Sequence, residues 1–313
     1  MSMIKTVVPL AVLLWSGLAA ASAAAAATQD VAVSKRCQLE LVTTGSVDWR
    51  GLYGRGYDVL EPAESFEPIS VIVRHTGAAC RFFLTASAGP GGQALVGPGG
   101  LLTYDIVNEP QGRSVLTADY YGTETSRIYG EFGAGSGEQG KALYVSIPTN
   151  QFVSGGRYQS TGVLRAFSMG ANGPELAGEA PIAVTTFVPS VAKVNLADLP
   201  NGVRETMIDF GDLTVPQTQS FKLQVRTNAA ISLMLQSSHG GKLVHDSGFA
   251  KVPYMVTMRG QPINMESRMR FSLAETMASR QLELPIELTI ASTSGQLPAG
   301  HYSDTLLVTI TVQ

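Results

Sequence analysis

Charge is scarce in this 313-residue chain. Only 15% of it is Asp, Glu, Lys or Arg, the formal net charge is −3, and no basic cluster occurs. A nucleic-acid partner needs clustered cations to displace counterions from phosphates, so that class of partner is excluded. Long apolar runs are scarce too. VVPLAVLLWSGLAA (7–20) is shorter than the ~20 residues a spanning helix needs, and no charged stop-transfer segment follows it. No long amphipathic helix is apparent. MRFSLAETMASR (269–280) reads either as one or two helical turns or as a loop.

Catalytic signatures are missing. There is no GxSxG, HExxH or P-loop. His75, His239, His245 and His301 have no partner at metal-ligand spacing. The run HDS (245–247) holds the three residue types of a triad, but neighbours in sequence cannot take up triad geometry. GPGGQALVGPGG (89–100) is glycine-rich yet lacks a following Lys-Ser/Thr, and reads as a hairpin. The acidic pairs Asp119 with Glu124 and Glu131 with Glu138 read as solvated loop residues. The expectation is a non-enzyme without metal or cofactor.

What is present begins with an export signal. Lys5 precedes the short apolar core, and an Ala/Ser run to Ala27 offers A-x-A cleavage sites. Residues 1–27 are therefore expected to be a signal peptide. The two cysteines, Cys37 and Cys80, are even in number in an exported chain, which favours a disulfide. Two buried free thiols are the alternative. A metal site is disfavoured, because no His or Cys lies at ligand spacing to either one.

The chain then repeats itself. VRHTGAACRFFLTAS (73–87) is matched by VRTNAAISLMLQSS (225–238), with Gly91-Gly92 and Gly240-Gly241 following. LLTYDI (101–106) is matched by KVPYMVTM (251–258), and SGGRYQSTGVLRAF (154–167) by PAGHYSDTLLVTITV (298–312). Val73 and Val225 are 152 residues apart and Tyr158 and Tyr302 are 144 apart. A spacing this long is a tandem domain duplication rather than a solenoid. Period-2 alternation runs through PISVIVR (68–74), LYVSIP (143–148), FKLQVR (221–226), LELPIELTI (282–290) and VTITV (308–312). β-branched residues fill these runs, and turn residues separate them, which predicts an all-β sandwich in each copy. The boundary is expected at Pro189. IAVTTFV (182–188) would close domain 28–188 and VAKVNLA (191–197) would open domain 189–313.

The last strand, TLLVTITVQ (305–313), carries no Pro or charge to protect an edge. In the first copy STGVLRAF (160–167) is followed by ELAGEAPIAVTTFV (175–188), which supplies a further strand in cis. The second copy has no such sequel and is expected to take a strand from a partner.

Together these motifs resemble spore coat protein U-type domains, the pilin-like domains of archaic (Csu-type) chaperone–usher pili. The residues that carry the resemblance are GYDVL (56–60), PISVIVRHTGAACRFFLTAS (68–87) and GGRYQSTGVLRA (155–166) in the first copy. In the second they are IDFGDL (208–213), FKLQVRTNAAISLMLQSSHGGKLVH (221–245), VPYMVTMRG (252–260) and AGHYSDTLLVTITV (299–312). The second copy departs from the first in having Ser232 where Cys80 stands. The resemblance implies two tandem immunoglobulin-like, pilin-like β-sandwich domains, the C-terminal one lacking its final strand. It also implies a periplasmic chaperone, an outer-membrane usher and an adjacent pilin subunit as partners. Leu306, Val308, Ile310 and Val312 would line the groove that receives the chaperone or donor strand.

TQDVAVSKR (28–36), with only Val31 and Val33 as apolar anchors, is too short for a donor strand. A subunit that accepts a strand, donates none and carries an extra domain belongs at a pilus tip. The expected role is therefore a non-catalytic tip adhesin that attaches cells to abiotic or host surfaces and supports biofilm formation. A structural subunit without a ligand, or a secreted carbohydrate-binding module, is the alternative. Three loops rich in Gly and aromatics in the first copy are the candidate contact elements. Their residues are Trp49, Leu52 and Tyr53; Leu95 and Val96; and Tyr120, Tyr121, Tyr129 and Phe132. Core packing competes with exposure at each. Trp49 and Tyr57 lean towards core, and Tyr120 and Tyr121 towards exposure.

Overall fold

The structure is a computed structural model and describes residues 36–313, apart from 198, 201, 202, 204, 214, 266, 273–280, 294 and 295. The expected signal peptide lies outside the described residues. Among the described residues every regular element is a strand. In the first half these are β1 (Cys37–Thr43), β2 (Ser46–Trp49), β3 (Phe66–Gly77), β4 (Cys80–Ala88), β5 (Ala94–Gly97), β6 (Gly100–Thr103), β7 (Asp105–Val107), β8 (Ile128–Phe132), β9 (Gly135–Ser146), β10 (Gly156–Gly170) and β11 (Gly173–Val188). In the second half they are β12 (Ala192–Leu196), β13 (Gln217–Thr227), β14 (Ile231–Ser237), β15 (Lys242–His245), β16 (Lys251–Pro253), β17 (Met255–Met258), β18 (Gln261–Pro262), β19 (Arg268–Phe271), β20 (Leu282–Ile290), β21 (Tyr302–Ser303) and β22 (Leu306–Val312).

Alternation decides which face of each strand is buried. Ile69, Val71 and Val73 of β3 and Leu282, Leu284, Ile286, Leu288 and Ile290 of β20 all point inward, and the residues between them face the other side. In the first lobe the sheet β1-β3-β9-β7 packs on β2-β11-β10-β4-β8 around one apolar cluster. In the second lobe β12-β13-β20-β17-β18 packs on β19-β14-β22 around another, with a small sheet β16-β15-β21 beside it. The duplication is therefore a duplication of topology. β1, β3, β9 and β7 correspond to β12, β13, β20 and β17, and β8, β4 and β10 to β19, β14 and β22. Even the hairpin β5–β6, which touches the start of β10, has its copy in β15–β16, which touches β21. The first lobe has two strands with no counterpart among the described residues: β11, paired along all of β10, and β2, parallel to β11.

Cys37 and Cys80 are joined by a disulfide that ties the start of β1 to the start of β4. The connection between the lobes is short and anchored at Asn228, which is fully buried. Its side-chain amide donates to the Pro189 carbonyl (2.9 Å), and its Oδ1 accepts from the Val191 amide (2.8 Å). Gly155 of the first lobe donates its amide to the Asn228 carbonyl at 3.3 Å. A buried amide with both ends paired holds its neighbours in register.

Two expectations need correction. Part of 269–280 is strand, because Arg268–Phe271 pairs antiparallel with β14 and buries Phe271; residues 273–280 lie outside the described residues. The third aromatic loop, expected over DYYGTETSRIYGEFGAGSGEQG (119–140), is half strand, since 128–132 and 135–140 fall in β8 and β9. Its glycines mask the alternation in the sequence, but β3 and β4 offer edges along which the backbone pairs.

Candidate functional site

β22 pairs with β14 on one side only; among the described residues no strand pairs with its other edge. The consequence shows in the burial of duplicated positions. Leu164 and Ala166 of β10 are fully buried, and β11 extends the sheet beside them. The residues at the same places in the second copy, Val308 and Ile310, remain half-buried while packing against the second core. Leu306 also packs there, and Val312 is half-buried as well. Tyr57 and Val59 are buried in the first lobe, whereas Ile208 and Phe210, their counterparts, are not. Leu196, Ile208 and Phe221 line a cleft on this side of the second lobe. A row of alternate apolar side chains beside an unpaired strand edge is the geometry that accepts an added strand: backbone amides supply the pairing and alternate side chains fill the row.

A second surface lies on the outer face of the first lobe's larger sheet. Tyr129, Phe83, Phe167 and Leu176 are directly opposite one another across β8, β4, β10 and β11. Phe83 and Phe167 stack at 5.0 Å between centroids, and both are fully buried although they lie outside the sandwich core. They are covered by the loop before β8. Tyr120 and Tyr121 lean on Phe167 at 5.5 and 5.3 Å, and the Arg127 guanidinium sits 4.5 Å over Phe83. Arg165 covers Tyr120 at 4.7 Å while paired with Glu179. Tyr120, Tyr121, Tyr129, Met169 and Leu176 keep exposed edges. An outer sheet face is normally polar, so the exposed rims of this aromatic row make it a candidate contact surface. The signal in the sequence is the adjacent pair Phe82-Phe83, one ring for each face of β4; Phe83, Phe167, Met169 and Leu176 were not singled out from sequence.

No family model matches the chain, and no curated protein does. Solved structures are similar to it at low identity. One is the CsuC–CsuE chaperone–tip adhesion subunit pre-assembly complex of the archaic chaperone–usher Csu pili of Acinetobacter baumannii, at 12% identity and TM-score 0.40, covering 88% of this chain and 99% of that one. Another is the CupB6 tip adhesin of Pseudomonas aeruginosa, at 13% identity and TM-score 0.40, covering 88% and 94%. A third is CfaE, the adhesive subunit of the CFA/I fimbria of enterotoxigenic Escherichia coli, at 10% identity and TM-score 0.32, covering 88% and 87%.

The nine aromatic and apolar loop residues do not form one patch. Trp49 is 1% exposed and Leu95 0%, so neither is available at a surface. Trp49 ends β2 and enters the sandwich core, and Leu95 sits on the inward face of the β5–β6 hairpin. Phe132 is half-buried, stacked on His75 and Phe82. Leu52, Tyr53 and Val96 are exposed. Leu52 and Tyr53 lie at the end of the lobe nearest the junction, because the Tyr57 amide donates to the Phe187 carbonyl at 2.9 Å. Gly56 makes that approach possible, since a Cβ there would sit 1.8 Å from the same carbonyl oxygen. Tyr120, Tyr121 and Tyr129 share the aromatic row just described.

The polar groups are engaged in ways that hold turns. Asp304 is buried, with its side chain 2% exposed. It accepts from the Tyr254 hydroxyl (2.7 Å), the Ser237 hydroxyl, and the Thr305 (2.7 Å) and His239 (3.1 Å) amides. Ser237 thus donates to the carboxylate, whose other oxygen faces His239 Nδ1 at 3.2 Å. His245 Nδ1 bonds Ser247 Oγ at 2.7 Å and its Nε2 faces the Ala299 carbonyl at 3.2 Å. Glu131 and Glu138 face Arg81 (3.9 Å) and Arg74 (3.1 Å), so neither is a bare loop acid.

Burial, and then the bond to Asp304, push the Tyr254 phenol well above its usual range. Tyr104, its first-lobe counterpart, is raised by burial in the same direction. A raised folded pKa means that the neutral phenol's contribution is complete below the unfolded value of about 10 and is lost as pH climbs through the folded one. The denaturant midpoint of the second lobe is therefore expected to fall from about pH 9 to about pH 11, and Tyr254→Phe to remove part of that fall. An unchanged slope in the variant would show that Tyr254 does not carry it.

Proposed function

We propose that this chain is a non-catalytic tip adhesin of a chaperone–usher pilus of the archaic type. Its second domain (189–313) accepts a strand and its first domain (28–188) contacts a surface. The single observation that carries this reading is the contrast at equivalent strands: β10 is closed by β11, whereas β22 keeps an unpaired edge beside half-buried Val308 and Ile310. A periplasmic chaperone would occupy that edge first, and an adjacent pilin subunit would replace it at an outer-membrane usher, by β-strand addition. The chain would thus pass through the periplasm to the cell surface. Attachment to abiotic or host surfaces, and biofilm formation through it, would draw on the exposed apolar residues of the first domain, namely Tyr120, Tyr121 and Tyr129 on the aromatic face with Leu52, Tyr53 and Val96 nearer the junction.

The test is periplasmic co-expression with a chaperone of an archaic pilus system, followed by pull-down. The full chain is expected to be recovered in a one-to-one complex, and a version ending before Leu306 not at all. Val308→Asp, which leaves the strand in place, is expected to reduce recovery by roughly tenfold or more, since a carboxylate buried under an added strand would be unpaired. A soluble monomer that folds alone and ignores the chaperone would overturn the reading in favour of an autonomous binding module.

A further inference from the structure

One group in the first lobe lies apart from both surfaces described above. His75 lies on the inward face of β3 and is 2% exposed. Its Nε2 is 2.8 Å from the Ala78 carbonyl. A carbonyl only accepts, so Nε2 carries the proton and Nδ1 keeps a bare lone pair. That Nδ1 is buried without any partner. An unsatisfied buried polar atom is a standing cost that a leucine at this place would avoid. The ring has specific neighbours: the sulfurs of Cys37 and Cys80 and one ring nitrogen of His75 all lie within 4.8 Å of one another. Register explains the meeting. Cys37 is opposite Gly77, two residues along β3 from His75, and Cys80 follows shortly after the turn at the end of β3. Phe132, opposite Cys80 on β8, stacks on the imidazole at 4.8 Å and holds its plane. The sequence hid this cluster, because strand pairing rather than a local spacing assembles it.

We propose that, when the Cys37–Cys80 disulfide is reduced, Cys37, Cys80 and His75 bind zinc(II). Two thiolates and one neutral imidazole are a donor set that selects a thiophilic cation of this kind. Tetrahedral zinc holds such atoms about 3.5–3.8 Å apart, given bonds near 2.3 Å to sulfur and 2.0–2.1 Å to nitrogen. The cysteines are half-buried, so solvent reaches the site and water supplies the fourth ligand. The chemistry balances in two steps. A dithiol reductant attacks one sulfur, the S–S bond breaks, and two electrons and two protons pass to the protein while the reductant leaves as its own disulfide. Zinc then displaces one proton from each thiol to solvent as the Zn–S bonds form. The metal clamps β1 to β3 and β4 as the disulfide does, so the first lobe has a bridge in both redox states.

The experiment uses the mature chain reduced with a phosphine without oxygen. Zinc is titrated against a chromogenic chelator, and cobalt(II) serves as a spectroscopic probe. The reduced protein is expected to take up one equivalent, with thiolate-to-cobalt charge-transfer absorption and d–d bands of tetrahedral intensity. The oxidised protein is expected to take up none. Cys80→Ser should abolish uptake and His75→Leu weaken it by roughly tenfold or more, with His75→Gln as the variant to use if the leucine disturbs folding. Zinc at about 100 times its dissociation constant should also raise the thermal midpoint of the reduced first lobe. No stoichiometric uptake by the reduced chain, equal uptake by the oxidised one, or full affinity without His75 would each overturn the proposal. If reduction unfolds the lobe, zinc must refold it; failure to do so overturns the proposal equally.

Discussion

Leu164→Ala is expected to lower the unfolding free energy of the first lobe by about 3–5 kcal/mol, the cost of emptying a fully enclosed leucine site. Ile310→Ala removes the same number of carbons from the equivalent strand of the second lobe, and is expected to cost the isolated chain under about 1.5 kcal/mol. The asymmetry comes from what lies over each strand. Leu164 is fully buried in the first core, with β11 paired along the far edge of its strand, so truncation leaves an enclosed cavity. Ile310 is still reached by water, so less surface is exposed by cutting it back. The measurement is chemical denaturation followed through the two lobes' separate transitions. Adding the chaperone, or a peptide of alternating apolar residues, is expected to raise the cost of Ile310→Ala towards that of Leu164→Ala, because the added strand completes the enclosure. Equal costs in the isolated chain would mean that the second core is already closed, and the strand-acceptor reading would fall.

Reduction of the Cys37–Cys80 bridge is expected to cost the first lobe about 4 kcal/mol in the chain-entropy treatment, for a loop whose ends are 43 residues apart. The second lobe contains no cysteine, so its transition should not move. The double variant Cys37→Ser with Cys80→Ser should reproduce the shift seen with a phosphine. A shift of both transitions would mean that the lobes unfold together through Asn228 and the short connection at Pro189. No shift of either would mean that the bridge spans a segment still structured in the denatured state. Zinc added to the reduced wild type, but not to the double variant, should recover part of the lost stability.

Much of the sandwich architecture is legible in the sequence because strand alternation is a local property. The runs 68–74, 143–148 and 282–290 bury every second residue as their pattern requires, and 221–226 buries Leu223 and Val225 with Phe221 half-buried. The extra strand of the first copy is legible as well: 175–188 continues past the strand 160–167 and forms β11. The candidate surface was less legible. Tyr120 and Tyr121 are half-exposed, but Trp49 and Leu95 are interior. An aromatic or apolar residue in a Gly-rich segment has the same composition whether its side chain points in or out, and only the path of the backbone distinguishes the two. The short strand at 268–271 escaped for a related reason, since four residues carry too little periodicity to separate a strand from a turn.

What the sequence by itself determined is the apolar faces, which depend on neighbours a few residues apart, and the duplication, which shows when segments 152 and 144 residues apart are compared. What only the tertiary structure decided is which groups meet across strands. Register alone aligns Tyr129, Phe83, Phe167 and Leu176 into one outer row. Register alone brings His75 to the Cys37–Cys80 bridge. Enclosure likewise is a property of packed layers: Leu164 and Ile310 occupy equivalent strands, and they differ because a strand lies beyond β10 and none among the described residues lies beyond β22.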